Sequence, residues 1–598
     1  MTLTASVPLA EYQRRLAERR RRAADLARSE RRIGTGRLAV FAAGAGVAWL
    51  ALAAQLVSPA WLAPFLLAFV VLVLAHTRVI PARRYADRAV QYYERGLARL
   101  EDRWAGGGTS GERFADPAHP YSGDLDLFGR GSLFELLCTA RTRAGEDTLA
   151  AWLCAPAAAD EITARQAALV ELRPRLDLRE DLARLGADVD PGLHPAALSA
   201  WGTAPPVLHA PALRAVAAAV VALTAAGLLA WWRGWCGPAP LIAGLVGEML
   251  VALPLRARVS AVIRAVELPG RDVGLLAEIL ARIEREAFSA PRLVGVRAAL
   301  DTRGVPPSRR IAELGRLINL LDARRNQLFA AVAPLLLWGT QLALAVEAWR
   351  AVSGAAIDRW LAAVGEFEAL CALATYAYEQ CDDPFPEIAA AGPLFDAEAV
   401  GHPLLPRAHC VCNDLRLAAD AAVLVVSGSN MSGKSTLLRT VGVNAVLAQA
   451  GAPVRARRLR LSALAVGTSM RIADSLQAGT SRFYAEIQRL RQLVDLAQGP
   501  RPLLFLLDEI LHGTNSHDRR LGADAVVRAL VARGAIGLVT THDLSLASIA
   551  DTLAPRAANV HFEDHLENGR MSFDYRMRPG VVQKSNALEL MRAVGLEV

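Results

Sequence analysis

The stretch Val423–Thr436, VLVVSGSNMSGKST, decides the fold of the C-terminal part of the chain. Its apolar start predicts a buried strand, and the GxxxxGKS run that follows is typical of a loop that wraps phosphate groups before a helix. Glycines let the backbone N–H groups turn toward the phosphates, a lysine ammonium reaches the β and γ oxygens, and the next hydroxyl can bind Mg²⁺. We therefore predict that ATP and Mg²⁺ are bound by Gly428, Ser429, Asn430, Met431, Ser432, Gly433, Lys434, Ser435 and Thr436.

The composition supports the choice of Lys434. The chain has 67 basic residues and a net charge of +8, yet its lysines are Lys434 and Lys584 alone. Arginine stands wherever a generic cation is needed. A lysine inside this loop therefore indicates a position that needs a compact ammonium rather than a planar guanidinium.

A second motif lies about 75 residues downstream. The run Leu503–Glu509, LLFLLDE, predicts a buried strand that ends in two acids. Asp508 at the strand tip is a candidate Mg²⁺ ligand together with Ser435. Glu509 is placed to orient or deprotonate the attacking water, which makes it a candidate catalytic residue.

The end of a further apolar run supplies a histidine. VTTHD places His542 after the predicted strand Ile536–Thr540, where it is a candidate sensor of the γ-phosphate and the second candidate catalytic residue. Short strands at Val423–Val426, Leu503–Leu507 and Ile536–Thr540 alternate with helical segments. This alternation predicts an α/β domain with a largely parallel sheet.

The N-terminal part is apolar in blocks. Leu38–Val57 and Ala60–Ile80 are each about 20 residues long, enough to cross a bilayer, and Ser58-Pro59 predicts a tight turn between them. Residues 1–37 are rich in arginine. They favour a cytoplasmic segment held by anionic lipid over a nucleic-acid-binding helix, because an apolar span follows directly.

A second hairpin is predicted at Ala215–Trp232 and Ala239–Leu255, with Glu248 inside its second span. An intramembrane acid is a candidate functional residue, although a residue that faces a neighbouring helix explains it equally well. The run Leu328–Val346 is predicted to be a buried helix kinked at Pro334, because a fifth span would place the ATP site outside the cell. The basic flanks then predict a plasma membrane of bacterial type with the ATPase domain in the cytoplasm.

The motifs together resemble the MutS family. The loop resembles the family's ATPase loop, and Asn430-Met431 is its specific part. Asp474–Ile487 (DSLQAGTSRFYAEI), Asp508–Asp518 (DEILHGTNSHD) and the Thr541-His542 pair are similar to later family motifs. More weakly, Leu133–Leu172 resembles the opening of the family's helical core and lever domain. A mismatch-reading domain and a connector domain are not recognisable.

The resemblance implies an ATPase of the ABC type that works as a homodimer through its ATPase domains. Ser481 of one subunit would face the γ-phosphate bound by the other, and ATP would close a clamp on DNA. The resemblance also implies a lever of core helices around the DNA, and four arginines are available there for phosphate contacts: Arg309, Arg310, Arg324 and Arg325.

The sequence thus predicts a multidomain chain with a transmembrane α-hairpin, an all-α core/lever domain that carries a second membrane hairpin, and an α/β P-loop domain. Two alternatives stay open, an ATP-switched membrane scaffold without DNA binding and, less favoured, a component of an ABC-type transporter. The expected segments are a basic segment (1–37), a hairpin (38–80), a linker helix (81–124), a helical core/lever (125–390, with its hairpin at about 215–255) and an ATPase domain (391–598).

Overall fold

The structure is a computed structural model. It describes residues 6–185, 195–208, 211–267, 273–301, 304–325, 327–330, 332–429, 431–470, 482–512, 514–567 and 570–582.

Two long helices form the N-terminal part, α1 (Ser6–Leu52) and α2 (Leu62–Leu100), and they run against each other as a hairpin. The basic segment and the first apolar run belong to one continuous helix, because arginine and alanine both favour helix and the one proline of α1, Pro8, lies in its first turn, where it is tolerated. Ser58 caps the short 3₁₀ turn Pro59–Trp61 between the helices, where the sequence predicts a turn.

The basic end of α1 packs on protein. The Arg19 Nε atom donates to Glu180 Oε1 at 2.7 Å, and the buried Tyr12 hydroxyl donates to Glu379 Oε1 at 3.2 Å. Arg20 pairs with Glu94 on α2 at 2.7 Å. Several of the arginines that the sequence assigned to lipid therefore bind acids of the same chain.

The middle of the chain is helical. Its helices are α3 (Leu133–Leu137), α4 (Arg143–Cys154), α5 (Ala159–Leu172), α6 (Leu176–Arg184), α7 (Pro195–Thr203), α8 (Pro211–Trp232), α9 (Ala239–Glu267), α10 (Val273–Glu284), α11 (Pro291–Ala299), α12 (Pro307–Asp322), α13 (Gln327–Ala330), α14 (Trp338–Ser353) and α15 (Ile357–Glu379).

Within the part of the chain that the structure describes, four helices are long and apolar enough to cross a membrane, judged by length and composition alone. They cover Val7–Leu52, Pro59–Leu100, Ala212–Trp232 and Ala239–Val266. Large apolar side chains on them, such as Leu67 and Leu250, are about two-thirds exposed, so the protein itself does not cover these faces. Glu248 on α9 is buried, and its Oε1 atom lacks a hydrogen-bond partner within the described residues.

The prediction for Leu328–Val346 is wrong in its form. The chain does not make one kinked helix there. Instead a 3₁₀ turn at Pro334–Leu336 separates α13 from α14, and Leu337 has a positive φ of 45°. Proline removes a backbone donor and clashes with the preceding turn, which explains the break. Most of α14 is buried as predicted, whereas Leu335 on the turn is half exposed.

The C-terminal part is an α/β domain with two sheets. Its strands are β1 (Glu387–Ala389), β2 (Leu394–Val400), β3 (Asn413–Ala418), β4 (Val423–Ser427), β5 (Arg458–Ser462), β6 (Ala465–Ser469), β7 (Leu503–Asp508), β8 (Ile536–Thr541), β9 (Ala557–Glu567) and β10 (Arg570–Pro579). Its helices are α16 (Lys434–Ala450), α17 (Arg482–Leu496), α18 (Ser516–Ala532) and α19 (Ser548–Thr552).

The larger sheet has the order β10-β9-β4-β8-β7-β6, and all its pairs are parallel except β9 with β10. The smaller sheet has the order β1-β5-β2-β3 and is mixed. The prediction of a largely parallel sheet is therefore confirmed for the larger one. Since β8 lies between β4 and β7, the three predicted strands are neighbours and their carboxyl ends share one edge.

The helical part and the α/β domain share one continuous hydrophobic core. The helix α16 packs against α4 and α5 on one side and against the sheet on the other, and most of its residues are buried. At the same junction the Asp124 carboxylate accepts hydrogen bonds from Thr468 Oγ1 at 2.7 Å and from Met470 N at 3.1 Å. A movement of the phosphate-loop helix would therefore act directly on the helical part.

Candidate functional site

The site lies at the carboxyl edge of the larger sheet, where β4, β7 and β8 end. In the register Asp508 lies opposite Thr540, and Thr540 lies opposite Val426. Parallel strands bring the loops that follow them to the same edge, which is the usual place for ligands in open α/β sheets. The topology thus collects the loop after β4, the acids of β7 and the histidine after β8.

The loop after β4 has the backbone that its glycines predict. Gly428 has a φ of 152° and Gly433 a φ of 103°, and Met431 between them is also left-handed at 68°. A Cβ atom at Gly428 would lie 2.8 Å from Ser432 Oγ and 3.1 Å from the Phe562 carbonyl oxygen. A side chain at this position is therefore excluded both by φ and by space.

Lys434 begins α16 and is buried. Its ammonium donates to the carbonyl oxygens of Gly428 and Ser429, each at 2.8 Å. The Nζ atom also lies 3.8 Å from Glu509 Oε1. Burial lowers the pKa of Lys434, and the negative charges of Glu509 and Asp508 partly oppose that shift. The cation is held beside the loop, at the N-terminal and therefore positive end of a 17-residue helix.

The loop residues fit a bound triphosphate. The hydroxyl oxygens of Ser429 and Ser432 are buried without a hydrogen-bond partner within the described residues. Buried hydroxyls without partners are costly, and an anion with several acceptor oxygens would satisfy them. Ser435 follows Lys434 in the first turn of α16 and is partly buried, whereas Thr436 is exposed. The Met431 side chain is 83% exposed, so this residue contributes to the loop through its backbone and not through packing of its side chain.

The two acids after β7 have different surroundings. The Asp508 Oδ1 atom accepts a hydrogen bond from the Thr540 hydroxyl, which fixes the carboxylate next to β8. Glu509 has a left-handed φ of 49°, which turns its side chain away from the strand direction. Its amide donates to Thr540 O at 3.2 Å. A partly buried Asp508 with one oxygen fixed by a threonine suits a Mg²⁺ ligand.

Glu509 is surrounded by donors. Its Oε2 atom lies 2.9 Å from His512 Nε2, and its Oε1 atom lies 3.3 Å from His542 Nδ1. Burial would raise the pKa of Glu509. However, the hydrogen bonds of His542 and His512 and the charge of Lys434 outweigh burial and hold that pKa below its ordinary value. The carboxylate is therefore ionised at neutral pH, as a group that accepts a proton from water must be.

The structure brings together most of the residues that the sequence proposed. Lys434, Asp508, Glu509 and His542 lie at one edge with the glycine loop. Asn430 and Ser481 lie outside the described residues. The arginines proposed for DNA contact lie on α12 (Arg309 and Arg310) and in the 3₁₀ turn that follows it (Arg324 and Arg325), and Arg310 is 3.8 Å from Glu313.

Three site residues were not proposed from the sequence. His512 reaches Glu509 because Leu511 is also left-handed, with a φ of 60°, and the tight turn folds the chain back. Thr540 on β8 bonds to both acids at the end of β7, because its hydroxyl donates to Asp508 and its carbonyl oxygen accepts from the Glu509 amide. Tyr575 on β10 lies against the loop, where a Cβ atom at Gly433 would be 3.0 Å from its ring. The position of His512, three residues after Glu509, is a feature of the sequence that could have indicated this contact. Nothing in the sequence indicates that Tyr575 lies against the loop.

The chain is similar to proteins of known families in this part. Residues 424–597 match the model of MutS domain V. A DNA mismatch repair protein MutS of Natronomonas pharaonis is 35% identical over 240 residues, which cover 39% of this chain and 27% of that protein. An endonuclease MutS2 of Thermus thermophilus is 32% identical over 215 residues, which cover 35% of this chain and 27% of that protein.

A DNA mismatch repair protein MutS of Thermus aquaticus is 33% identical over 207 residues, which cover 34% of this chain and 25% of that protein. The chain therefore spans about a quarter of the length of these curated relatives. The match to the family model lies in residues 424–597, which hold the site. Residues 424–597 of this chain therefore match domain V of the MutS family, which supports the resemblance that the motifs indicated.

Proposed function

We propose that the chain binds and hydrolyses ATP with Mg²⁺ at the edge formed by β4, β7 and β8. The observation that carries the proposal is the contact set of Lys434 and Glu509, a buried ammonium beside the glycine loop and an ionised carboxylate 3.8 Å from it. Lys434 and the loop would hold the phosphates. Ser435 and Asp508 would hold Mg²⁺, which stabilises negative charge on the transferred phosphoryl group.

Glu509 orients the water that attacks the γ-phosphate and accepts its proton. His542 lies on the open side of Glu509, with 42% of its side chain exposed, where it can donate to a γ-phosphate oxygen. Both steps use geometry that the strands fix, because a general base must lie within hydrogen-bond reach of the proton that it takes.

The first test is ATP turnover by the purified full-length chain in detergent or lipid nanodiscs. We expect Mg²⁺-dependent hydrolysis, and we expect Lys434→Ala to lose binding of a fluorescent ATP analogue together with turnover. Hydrolysis that survives unchanged in Lys434→Ala would come from a contaminating enzyme or another site and would refute the proposal.

The proposal extends to assembly and DNA. Homology to DNA mismatch repair proteins over the ATPase part supports a homodimer that ATP closes as a clamp on DNA, with Ser481 completing the partner's site. Two variants test the shared site: Ser481→Ala mixed with Glu509→Gln should recover part of the turnover that each lacks alone. A mixture as inactive as its components would contradict sharing in trans.

The DNA part has its own test. Binding through arginine–phosphate contacts should weaken steeply with salt, because each contact releases counterions from the DNA. We expect retention of labelled duplex, mismatched or branched DNA at low salt, with a steep loss as salt rises. The ATPase rate measured with each of the three DNAs would show which structure the clamp prefers.

One observation favours a second candidate, an ATP-switched membrane scaffold without DNA binding. Part of the basic charge of α1 is used inside the protein, since Arg15, Arg19 and Arg20 pair with Asp177, Glu180 and Glu94. If the chain turns over ATP but binds no DNA at low salt, with or without ATP, this candidate replaces the clamp.

We also propose that the hairpins α1–α2 and α8–α9 anchor the chain in a plasma membrane of bacterial type with the ATPase domain in the cytoplasm. The four apolar helices support this placement. Arginines that follow the apolar run of the second helix in each hairpin, such as Arg83 on α2 and Arg256 on α9, support the orientation, because basic flanks stay on the cytoplasmic side.

A further inference from the structure

Three side chains at the edge of the ATP site point metal-binding atoms at one another: Glu509, His512 and His542. Their ligand atoms all lie within 4.8 Å of each other. The Glu509 carboxylate has one histidine on each oxygen, His512 Nε2 at 2.9 Å from Oε2 and His542 Nδ1 at 3.3 Å from Oε1. Two imidazoles therefore flank one carboxylate, and each directs a ring nitrogen at it.

The spacing of these atoms is close to that of the ligands in a tetrahedrally coordinated cation. Zinc binds histidine nitrogen and carboxylate oxygen at about 2.0–2.2 Å, so its ligands lie about 3.4 Å from one another. The two histidine–carboxylate separations already have this scale. The imidazole rings are stacked, with centroids 4.8 Å apart and planes at 22°, and the ligand atoms of the three residues all lie within 4.8 Å of one another. Binding of the cation therefore requires the two imidazoles to rotate toward a common point.

The site is also accessible and held from behind. Glu509 and His512 are each somewhat under one-third exposed and His542 is 42% exposed, which leaves an open side for the cation and a water ligand. The left-handed backbone at Glu509 and Leu511 fixes the turn that brings His512 back. Lys434 approaches the Oε1 atom, so the Oε2 atom beside His512 can bind a cation while Lys434 stays in place.

The donor set selects the class of metal. Magnesium prefers oxygen ligands and an octahedral water shell, whereas two imidazoles with one carboxylate suit zinc and its transition-metal neighbours. This trio therefore differs in chemistry from the hydroxyl and carboxylate pair, Ser435 and Asp508, that we assign to Mg²⁺.

We propose that Glu509, His512 and His542 form a binding site for a transition-metal dication of the Zn²⁺ class, and that the bound cation stops ATP hydrolysis without displacing ATP. A metal on the carboxylate occupies the lone pair that would take the proton of water. The glycine loop and Lys434 are untouched, so the nucleotide can still bind. The inhibition rests on the proposed ATPase function, whereas the metal binding does not.

The experiment measures metal binding directly on the nucleotide-free full-length chain in detergent. The probes are Zn²⁺, in competition with a chromogenic chelator, and Co²⁺, whose visible absorption reports tetrahedral coordination. All proteins carry Cys410→Ser and Cys412→Ser, because these two thiols lie together beside Gly401 and could bind zinc themselves. The variants are His512→Asn and His542→Asn, and the matched control is His517→Asn, an exposed histidine outside the trio.

We expect one Zn²⁺ bound per chain, a loss of zinc affinity of about tenfold or more in each trio variant, and no change of zinc affinity in the control. Circular dichroism and binding of a fluorescent ATP analogue show that each variant is folded. Zinc affinity that is equal in His512→Asn, His542→Asn and the parent would overturn the site.

The second measurement is ATP turnover in excess Mg²⁺ as Zn²⁺ rises. We expect inhibition in the parent that a chelator reverses, with ATP affinity unchanged, and an at least tenfold higher zinc requirement in His512→Asn. Zinc that saturates the site and leaves turnover unchanged would overturn the inhibition. If zinc binding depends on His512 but the parent never hydrolyses ATP, the metal site stands and the proposed ATPase function falls.

Discussion

At the scale of single residues, Glu509 connects the parts of the site. It lies 3.8 Å from the Lys434 ammonium and bonds to one histidine on each oxygen. Its position depends on a left-handed backbone that few residues adopt, a kind of local strain that tends to be retained where a side chain must be aimed.

Replacement of this carboxylate should separate binding from chemistry. In Glu509→Gln we expect kcat to fall by roughly 10²–10⁴, because the proton acceptor is lost, while affinity for ATP is kept. Single-turnover hydrolysis and equilibrium binding of a fluorescent ATP analogue give the two quantities. Glu563→Gln, a partly exposed carboxylate on β9, is the control and should behave as the parent. A proportional loss of binding in Glu509→Gln would contradict the role as base.

The pH dependence of the free protein follows from two pKa shifts of opposite consequence. Burial lowers the pKa of Lys434, so its ammonium is lost, and ATP binding weakens, at a pH below the usual lysine value of about 10.4. Despite burial, its donors lower the pKa of Glu509, so this carboxylate stays charged down to a pH below the usual value of about 4.3.

Affinity for the fluorescent ATP analogue, measured between neutral and alkaline pH, tests the lowered pKa of Lys434. We expect this affinity to begin to fall at a pH below the range in which an ordinary lysine loses its proton. A fall that begins only at or above that range would contradict the burial of Lys434. For Glu509 we expect that the carboxylate stays ionised between pH 5 and 7, so its titration does not lower kcat/KM in this range. Any fall of kcat/KM between pH 7 and pH 5 should therefore be the same in the parent and in Glu509→Asp.

At the scale of elements, the spacing of β7 and β8 positions the acids against Thr540. Gly537 on β8 lies opposite Phe505 on β7, and a Cβ atom at Gly537 would be 2.1 Å from the Phe505 carbonyl oxygen. Backbone cannot move aside as a side chain can, so the two strands would have to separate.

We therefore expect Gly537→Ala to lower the free energy of unfolding by about 1–3 kcal/mol, the usual cost of overpacking, and to reduce ATP turnover as well. Chemical denaturation and the ATPase rate measure the two effects. Gly123→Ala is the control, because nothing lies within 4 Å of the added Cβ atom, and its stability should match the parent. Equal stability of both variants would show that the strands are less constrained than the geometry requires.

A second important contact at this scale joins α1 and α2 to the end of α15. The Glu379 carboxylate accepts two hydrogen bonds from Arg99, at 2.6 and 2.7 Å, and one from the Tyr12 hydroxyl. All three groups are largely buried, and α15 leads into β1 of the α/β domain. The hairpin and the α/β domain are therefore joined through one short network.

Removal of the acid should release this junction. We expect Glu379→Ala to cost about 3–5 kcal/mol, since it leaves the Arg99 charge buried without its partner. Thermal unfolding and limited proteolysis of α1 are the measurements. The control Glu101→Ala breaks an exposed pair with Arg103 and should cost under about 1 kcal/mol. Protease resistance of α1 in Glu379→Ala equal to that of the control would argue against the network.

At the scale of the whole molecule, continuous exposed apolar surface distinguishes the long helices of the two hairpins from the other helices. Leu67 and Leu74 on α2 are more than half exposed among apolar neighbours, whereas helices such as α11, α12 and α14 expose large apolar side chains singly. Water would surround this surface at a large cost in free energy, so a bilayer is the fitting solvent.

Charges placed on this surface should prevent insertion. Both hairpins must be charged, because either one alone would hold the chain in the membrane. We expect Leu67→Arg and Leu74→Arg, combined with Leu228→Arg and Leu250→Arg on the second hairpin, to move the chain out of the carbonate-washed membrane pellet, because an arginine at the centre of a span costs about 2.5–3.5 kcal/mol. Leu320→Arg, at an exposed position on α12, is the control and should stay in the pellet. A fourfold variant that remains fully in the pellet would contradict the two hairpins as spans.

The sequence by itself determined the α/β domain, its three site strands and the residues whose roles depend on motif spacing. Gly428, Lys434, Asp508 and His542 follow apolar strands directly, and the ends of parallel strands must meet at one edge. The apolar blocks likewise predicted both helical hairpins, because span length and flanking arginines are local properties.

The tertiary structure alone decided which side chains meet. His512 contacts Glu509 because two left-handed residues reverse the chain, and no pattern in the sequence encodes those angles. Arg15 and Arg19 of α1 pair with acids some 160 residues away, and the apolar run after residue 328 breaks at Pro334 instead of kinking. Such outcomes depend on packing between distant elements, whereas the sequence pattern reports only each segment's own preference for burial and shape.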